Sequence, residues 1–393
     1  MRHPKPESEA HEGLWAKWAH EIARFPWLAG LAALAILIPL TVPLLSLNLG
    51  QQDIAALSTT TTARKAYDLL AKNFGPGING PLIVSVKLGS PAQAPSAKAA
   101  PASSKNGSSG TTAGGSGAAG QSKQTQSDPR AGDPRLQTLQ KDIAATPGIA
   151  AVTPAQLDKA GTTAFFNAIA TKGPAEKSTA TLVEHLRTSV IPAAEKGTNM
   201  TADVGGTTAG NVDLAARISD KLPLQILVVI ALSFVLLILA FRTAVIPAQA
   251  AVMNLLSIGA SYGVLTAIFQ YGWLADVIGL NGSVPIVSYV PLFMFAVLFG
   301  LSMDYEVFLV SQIEEHVHAG EDNRSSVVSG LVTSARVITA AALIMVFVFG
   351  SFLLNGNPTV QQFGIGLAVA VILDATVVRC LLVPALMVLT GEA

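Results

Sequence analysis

Long apolar stretches recur along the chain, and each of six of them is long enough to cross a lipid bilayer as a helix. A spanning helix needs about 20 predominantly apolar residues. The stretches are residues 27–47, 222–241, 245–270, 287–311, 337–354 and 363–389. The first is too long for the apolar region of a signal peptide and is interpreted as an uncleaved span. The pattern therefore predicts an α-helical membrane protein with six transmembrane helices.

Basic residues are distributed unevenly between the two sides of these spans. Lys17 and Arg24 precede the first span, Arg242 follows the second, and Arg324 and Arg336 flank the loop between the fourth and the fifth. The loops after the third and fifth spans contain no Lys or Arg. Because short cytoplasmic loops carry the excess of positive charge, we expect both termini in the cytoplasm.

The segment between the first two spans, residues 48–221, alternates between strand-like and helix-like patterns. Strands are predicted in PLIVSVKLG, IAAVTPAQL, TTAFFNAIA and MTADVGG, and helices in RLQTLQKDIAAT and AEKSTATLVEHLRTSVIPAA. The order β-α-β-β-α-β is that of an α+β ferredoxin-like unit. Residues 91–133 are rich in Ser, Gly, Ala and Gln, with few large apolar residues, which predicts a disordered insertion within the unit.

The N-terminal segment, residues 1–26, is polar but contains tryptophans. Lys17 lies between Trp15 and Trp18, and Arg24 follows at the end of the segment. This combination is typical of an amphipathic helix that lies at the membrane interface. The predicted organisation is thus an interfacial segment (1–26), a first span (27–47), an extramembrane domain (48–221) and a bundle of five spans (222–393).

Composition agrees with a membrane protein and excludes several other classes. Half of the residues are hydrophobic and 13% are charged, whereas soluble domains carry about 25% charged residues. The formal net charge is zero, so nucleic acid is not an expected partner. Cys380 is the single cysteine and cannot form an internal disulfide. No metal-ligand spacing, Walker motif or catalytic triad is present, so we expect neither an enzyme nor a cofactor.

Four ionisable residues interrupt the apolar stretches: Asp304, Glu306, Asp374 and Arg379. A charged side chain at bilayer depth costs at least about 2.5–3.5 kcal/mol and normally marks a pathway or a relay. Asp304 and Asp374 are the deepest by counting from the span ends. Glu306 and Arg379 lie nearer the predicted cytoplasmic ends, where snorkelling or an ion pair explains them.

Asp304 has a neighbourhood that suits a proton carrier. Ala296 and Gly300 precede it at helical spacing, which places it on a stripe of small residues where another helix can approach closely. Tyr305 points about 100° away around the same helix, so we expect the Asp-Tyr pair to bond to a pair on another helix. A phenol donates to a carboxylate and accepts from a carboxylic acid, so it serves both protonation states.

Several stretches resemble the MMPL (mycobacterial membrane protein large) subfamily of RND transporters. They include GLSMDYEVFLVSQIEE, FGIGLAVAVILDATVVRCLLVPALM and DVGGTTAGNVD. The resemblance implies an inner-membrane, proton-driven exporter of lipids or other hydrophobic molecules, with an extracytoplasmic porter domain. It implies a proton relay at Asp304 and Tyr305, with Asp374, Glu306 and Arg379 as supporting polar residues.

The resemblance covers one repeat of a family whose members usually contain two, and it is stronger to the C-terminal one. It implies half of a transporter, completed by a second copy or by a separately encoded partner. A non-transporting assembly partner, a sensor or a truncated remnant is the alternative. An intramembrane aspartyl protease is disfavoured, because Tyr follows Asp304 and Asp374 has no glycine beside it.

Overall fold

The computed structural model describes residues 14–94, 128–275, 277–280 and 282–391. The central part of the predicted disordered insertion, 95–127, lies outside the described residues. The chain folds as two compact units. The helical unit comprises Met1–Asp68 and Asn211–Ala393, and the sheet unit comprises Leu69–Gly210.

The described helices include all the predicted spans. In chain order they are α1 (Leu14–Arg24), α2 (Pro26–Thr41), α3 (Thr62–Phe74), α4 (Pro134–Ala144), α5 (Lys177–His185), α6 (Ile191–Glu195), α7 (Gly206–Phe241), α8 (Val245–Phe269), α9 (Tyr289–His318), α10 (Asn323–Gly350), α11 (Pro358–Leu373) and α12 (Val383–Thr390). A π-helical segment, Asp374–Leu382, joins α11 to α12 without a break. Six helical stretches, formed by α2, α7, α8, α9, α10 and α11–α12 with their extensions, are long and apolar enough to cross a membrane. The prediction of six spans is therefore confirmed within the described residues.

The described strands form one antiparallel sheet and one short parallel pair. They are β1 (Leu49–Gly50), β2 (Leu82–Leu88), β3 (Ile149–Val152), β4 (Gln156–Leu157), β5 (Thr163–Ala170), β6 (Met200–Gly205) and β7 (Ile286–Val287). The sheet has the order β3-β5-β2-β6, with β4 also paired to β5, and every pairing in it is antiparallel. β1 and β7 pair in parallel within the helical unit.

The core of the sheet unit lies between one face of the sheet and its helices. β2 alternates strictly between buried and exposed positions, and Leu82, Val84 and Val86 are fully buried. Leu139 of α4 and Val183 of α5 complete this core. Period-two burial is the signature of a sheet with one covered face, which explains why the alternating pattern of the sequence identified this strand.

Three local features differ from the sequence-based expectation. The stretch predicted as one strand at 149–157 is divided into β3 and β4, with Pro154 between them; proline cannot donate to a strand ladder. α3 was not predicted. α7 begins at Gly206, well before the predicted start of the second span, and continues through Pro223.

The two flanks of the segment 95–127 meet at one place in the sheet unit. The backbone N–H of Gln93 donates to Asp133 Oδ2 at 2.9 Å, and Arg135 forms an ion pair with the same carboxylate at 2.9 Å. Arg135 also donates to Ser90 Oγ at 3.1 Å. The Arg135 guanidinium lowers the pKa of Asp133 to about 2. The two described flanks are therefore held together at a single clamped point.

The packing of the helical unit depends on a close approach between α2 and α8. A Cβ added at Gly263 of α8 would lie 1.8 Å from the carbonyl oxygen of Leu40. No side chain fits at that distance, so the two backbones approach as closely as they do only because residue 263 is glycine. α8 is also tied to α11, because Ser261 Oγ donates to the Gly366 carbonyl oxygen at 2.7 Å.

We expect Gly263→Ala to destabilise the helical unit, because the added methyl group forces α2 away from α8. Overpacking of this kind costs about 1–3 kcal/mol. The measurement is the thermal unfolding midpoint of the purified protein in detergent. Gly30→Ala is the matched control, since a Cβ at Gly30 of α2 meets nothing within 4 Å. Equal midpoints for the two variants would contradict the close approach.

We expect the clamp at Asp133 to weaken in acid. Because the folded-state pKa of Asp133 is depressed to about 2, its stabilisation is present above the unfolded value of about 3.9 and is lost as the pH falls towards 2. Full loss corresponds to on the order of 2 kcal/mol. In Asp133→Asn, amide hydrogen exchange at residues 92–93 should be accelerated near neutral pH, and the difference from the wild type should vanish in strong acid. Asp142→Asn, an exposed carboxylate on α4, is the control, and an equal effect there would refute the clamp.

Candidate functional site

A charged cluster is buried inside the helical unit. Its members are Glu306, Asp374, Arg379, Ser302 and Asn254, all less than 9% exposed, and Arg379 has no exposed surface at all. Asn254 comes from α8, Ser302 and Glu306 come from α9, and Asp374 and Arg379 come from the π-helical segment. Three separate elements of the bundle thus contribute to one polar site.

The guanidinium of Arg379 is the centre of the cluster. Its Nε lies 3.3 Å from Asp374 Oδ2, and its Nη1 lies 3.7 Å from Glu306 Oε2. Its Nη2 donates to Ser302 Oγ at 2.8 Å and to the Ser302 carbonyl oxygen. Ser302 Oγ in turn lies 2.9 Å from Asp374 Oδ1. A buried cation is thereby held between two carboxylates and a serine.

The π-helical segment is what allows Asp374 and Arg379 to meet. Five residues of a regular α-helix turn the chain by about 500°, which would leave the two side chains about 140° apart. Hydrogen bonds that close from i to i+5 widen the turn and return the fifth residue to the same face. The ion pair between Asp374 and Arg379 therefore depends on the irregular segment.

The amphipathic helix α1 is anchored to this same segment. The indole Nε1 of Trp18 donates to the carbonyl oxygen of Cys380 at 2.9 Å. Ala16, Ala19 and Ala23 form the buried face of α1, which packs against α10 and α12. The sequence identified Trp18 as an interfacial residue, but its bond to the segment that carries Arg379 is visible only in the structure.

The two predicted relay residues do not belong to the buried cluster. Asp304 lies on an exposed face of α9 together with Ala296 and Gly300, and a Cβ added at Gly300 meets nothing within 4 Å. Tyr305 is half-buried, and its hydroxyl donates to Met345 Sδ at 3.3 Å. The predicted small-residue stripe therefore exists, and it is open in the single chain.

Two of the supporting residues are buried inside the helical unit. Glu306 and Arg379 were expected near the cytoplasmic ends of their helices, where snorkelling would suffice. They are buried instead, at 2% and 0% exposure. The explanation is the second one considered, an ion pair, because Arg379 faces both carboxylates.

A small cavity lies between the buried charged cluster and Tyr305, one of the two predicted relay residues. Asn254, Ser302, Tyr305 and Asp374 contribute to its lining, and the space open to the centre of a water molecule is about 20 Å³. A buried site needs about 10–15 Å³ by that measure to hold one water molecule. The cavity therefore has room for a water molecule between Tyr305, which follows the exposed Asp304, and the buried Asp374.

Neither Ser302 nor Asn254 was singled out in the sequence analysis. A signal for Ser302 was present, because it precedes Glu306 by four residues and so lies on the same face of α9. Among the described residues, no group of three or more His, Cys, Asp and Glu side chains is arranged to hold a metal ion.

Fold and site together define a multi-pass helical membrane protein with a charged cluster inside its bundle. The chain belongs to the MMPL family, whose model matches residues 90–393. This membership accounts for the stretches around Asp304 and Asp374 that resemble the family.

Relatives in mycobacteria extend the similarity over nearly the whole chain. The mycolic acid-containing lipids exporter MmpL11 of Mycolicibacterium smegmatis is 32% identical over 383 residues, which is 98% of this chain and 36% of that protein. The heme uptake protein MmpL11 of Mycobacterium tuberculosis is 32% identical over 95% of this chain and 35% of its own length. The trehalose monomycolate exporter MmpL3 of Mycolicibacterium smegmatis is 39% identical over 48% of this chain and 19% of its own length. The chain thus spans about a third of the length of the MmpL11 relatives.

We expect Arg379→Met to destabilise the helical unit strongly, because it leaves the Asp374 carboxylate buried without its cation. Removing one partner of a buried ion pair costs about 3–5 kcal/mol. The measurement is the unfolding midpoint in detergent, with Arg336→Met as control, because Arg336 is exposed on α10. The double variant Arg379→Met, Asp374→Leu should recover part of the loss. Equal stability of Arg379→Met and the control would show that the cluster does not hold the bundle together.

Proposed function

We propose that this chain is one half of a proton-driven transporter that exports lipid or other hydrophobic molecules across the inner (plasma) membrane. Membership of the MMPL family supports transport. The observation that carries the proposal is the position of Asp304, an ionisable side chain on the open small-residue face of a membrane-spanning helix. The proposed role is transport and not catalysis.

The open face of α9 supports the proposal that this chain is half of a transporter and requires a second half. A carboxylate facing lipid is costly, so Asp304 requires a protein surface or a water-filled space opposite it. Small residues at Ala296 and Gly300 let a second helix approach closely. A second repeat, from another copy or from a separately encoded partner, would bring its own Asp-Tyr pair to this face. Asp304 would then face a tyrosine, and Tyr305 an aspartate.

The sheet unit supports an extracytoplasmic porter role. Taken in chain order as strands one to four, β2, β3, β5 and β6 are arranged 2-3-1-4, with all neighbours antiparallel. With α4 after the first strand and α5 after the third, this order supports the proposal of a ferredoxin-like unit. The distribution of Lys and Arg in the short loops supports an orientation with both termini in the cytoplasm and this unit outside.

The names of the relatives support a hydrophobic cargo without fixing one molecule. Two of them are exporters of mycolic acid-containing lipids and of trehalose monomycolate, and one is a heme uptake protein.

The free energy available from proton entry restricts the path that a lipid can take through the protein. One proton moving through 100 mV supplies about 2.3 kcal/mol, whereas each methylene exposed to water costs about 0.8 kcal/mol. A long acyl chain must therefore travel through an apolar cavity in the assembled protein.

We expect Asp304→Asn to abolish proton-coupled transport without loss of folding. The assay follows a fluorescent acyl lipid in proteoliposomes under an imposed pH gradient, and the unfolding midpoint is measured in parallel. Glu315→Gln, an exposed carboxylate near the end of the same helix, should transport normally. Unchanged transport in Asp304→Asn would remove the relay role. Wild-type protein that never couples the gradient to lipid movement would favour a non-transporting assembly partner or sensor.

Crosslinking tests which face is covered. In a Cys380→Ala background, Gly300→Cys should crosslink two copies if a second copy covers the Asp304 face. Leu239→Cys, on the exposed side of α7, should not. A monomer with no crosslink at Gly300→Cys would exclude the second copy and favour a separately encoded partner.

A further inference from the structure

The buried cluster contains more acidic groups than basic groups. Arg379 supplies one positive charge, and Glu306 and Asp374 supply two negative charges if both are ionised. All three are buried among apolar helices. An unbalanced charge in such surroundings is strongly disfavoured, and the group neutralises instead. One of the two carboxyl groups is therefore expected to carry a proton.

The contacts distinguish the two carboxyl groups. Asp374 is bonded by Arg379 Nε at 3.3 Å and adjoins Ser302 Oγ at 2.9 Å. The nearest charged donor to Glu306 is Arg379 Nη1 at 3.7 Å, beyond hydrogen-bond distance. Charge-assisted bonds stabilise the anion to which they are made. Asp374 is accordingly the carboxylate, and Glu306 is the group left for the proton.

The single proton of the Ser302 hydroxyl leads to the same assignment. Ser302 Oγ lies 2.9 Å from Asp374 Oδ1 and 2.5 Å from Asn254 Oδ1. One hydroxyl cannot donate to two acceptors, while Asn254 Nδ2 is buried without a hydrogen-bond partner. Half a rotation of the Asn254 amide resolves both problems, since Nδ2 then donates to Ser302 and Ser302 donates to Asp374.

The rotated amide determines the protonation of Glu306. Asn254 Nδ2 lies on the side of Glu306 without forming a regular hydrogen bond to it, so after the rotation the Asn254 oxygen faces that carboxyl group. Two acceptors facing each other in a buried site repel unless a proton lies between them. A protonated Glu306 supplies that proton, and the Asn254 oxygen, Ser302 Oγ and the Asp374 carboxylate then each have a donor.

We propose that Glu306 is held as a neutral carboxylic acid that donates to Asn254, and that it is an exchangeable proton-binding site within the single repeat. The chemistry of the site rests on the contacts above, and only its coupling to transport rests on the proposed function. Unlike Asp304, Glu306 needs no second repeat to be buried.

Loss of the proton has a defined structural consequence. An ionised Glu306 is repelled by the Asn254 oxygen and attracts Arg379 Nη1, which has no hydrogen-bond partner in this arrangement. Arg379 is then shared between two carboxylates, Glu306 and Asp374, instead of pairing with the Asp374 carboxylate only. Because α9 carries Glu306 and the π-helical segment carries Arg379, release of the proton draws these two elements together.

The protonation of Glu306 depends on Arg379 and Asp374, because the other titratable groups on the neighbouring helices are distant or exposed. Within the described residues, α11 has no titratable side chain, and the titratable residue of α8 is Tyr262, two turns from Asn254. The charged residues of α10, Arg324 and Arg336, are exposed. On α9 itself, Asp304 is exposed and Tyr305 is half-buried beside the small cavity. A water molecule in that cavity would connect the buried cluster with the Asp304 side of the helix.

Infrared spectroscopy of the full chain tests the proposal. Protein labelled with carboxyl-¹³C glutamate should show, at neutral pH, a protonated carboxyl C=O band that is shifted from its position in unlabelled protein. The band should disappear in Glu306→Gln and remain in Glu315→Gln. In Asn254→Leu it should move to higher frequency, because the acid loses its acceptor.

Two results would overturn the assignment. One is the absence of any glutamate-derived acid band in labelled wild-type protein at neutral pH, which requires no variant to fold. The other is a band that persists in Glu306→Gln. The variant Asp304→Asn distinguishes this proposal from the proposed proton relay at Asp304 and Tyr305. It should eliminate transport while leaving the Glu306 band in place. If that variant transports normally but the band is present, the relay fails and the proton site stands.

Discussion

The guanidinium of Arg379, which has no exposed surface, is the constraint on which the helical unit depends. A cation cannot be left unpaired among apolar helices, so the bundle must supply anions and acceptors around it. Asp374, Glu306 and Ser302 are the groups that do so. The irregular turn after α11 follows from the same requirement, because only a widened helix brings Arg379 back to the face of Asp374. The bond from Trp18 to Cys380 then fixes α1 to this turn.

The ionisable residues of the spans fall into two groups, one buried within the single chain and one on an open helix face. The cluster around Arg379 is complete within one chain, since its members come from three neighbouring elements of the same bundle. Asp304 is incomplete, because its face of α9 is open. The small cavity beside Tyr305 lies between the two groups. The single chain therefore contains an inner polar site built from its own helices and an outer carboxylate on an open helix face.

The sheet unit illustrates how a long insertion can be accommodated. Asp133, Arg135 and Gln93 close the two flanks of residues 95–127 together beside Ser90. Residues 95–127 lie in the chain between β2 and α4 and therefore interrupt no strand of the sheet. The clamp therefore holds the two described flanks together.

The sequence by itself determined the six spans and most of the elements of the sheet unit. Lipid offers no hydrogen bonds to the backbone, so a long apolar stretch must be a helix, and a strand with one covered face must alternate, as β2 does. It also singled out Asp304, Glu306, Asp374 and Arg379, because each is costly in an apolar stretch. Only the tertiary structure decided how they are grouped. Whether Asp374 faces Arg379 depends on one widened helical turn, and whether Asp304 is exposed depends on which side of α9 its neighbours cover. Both are properties of packing between distant segments, which local hydrophobicity and spacing do not contain.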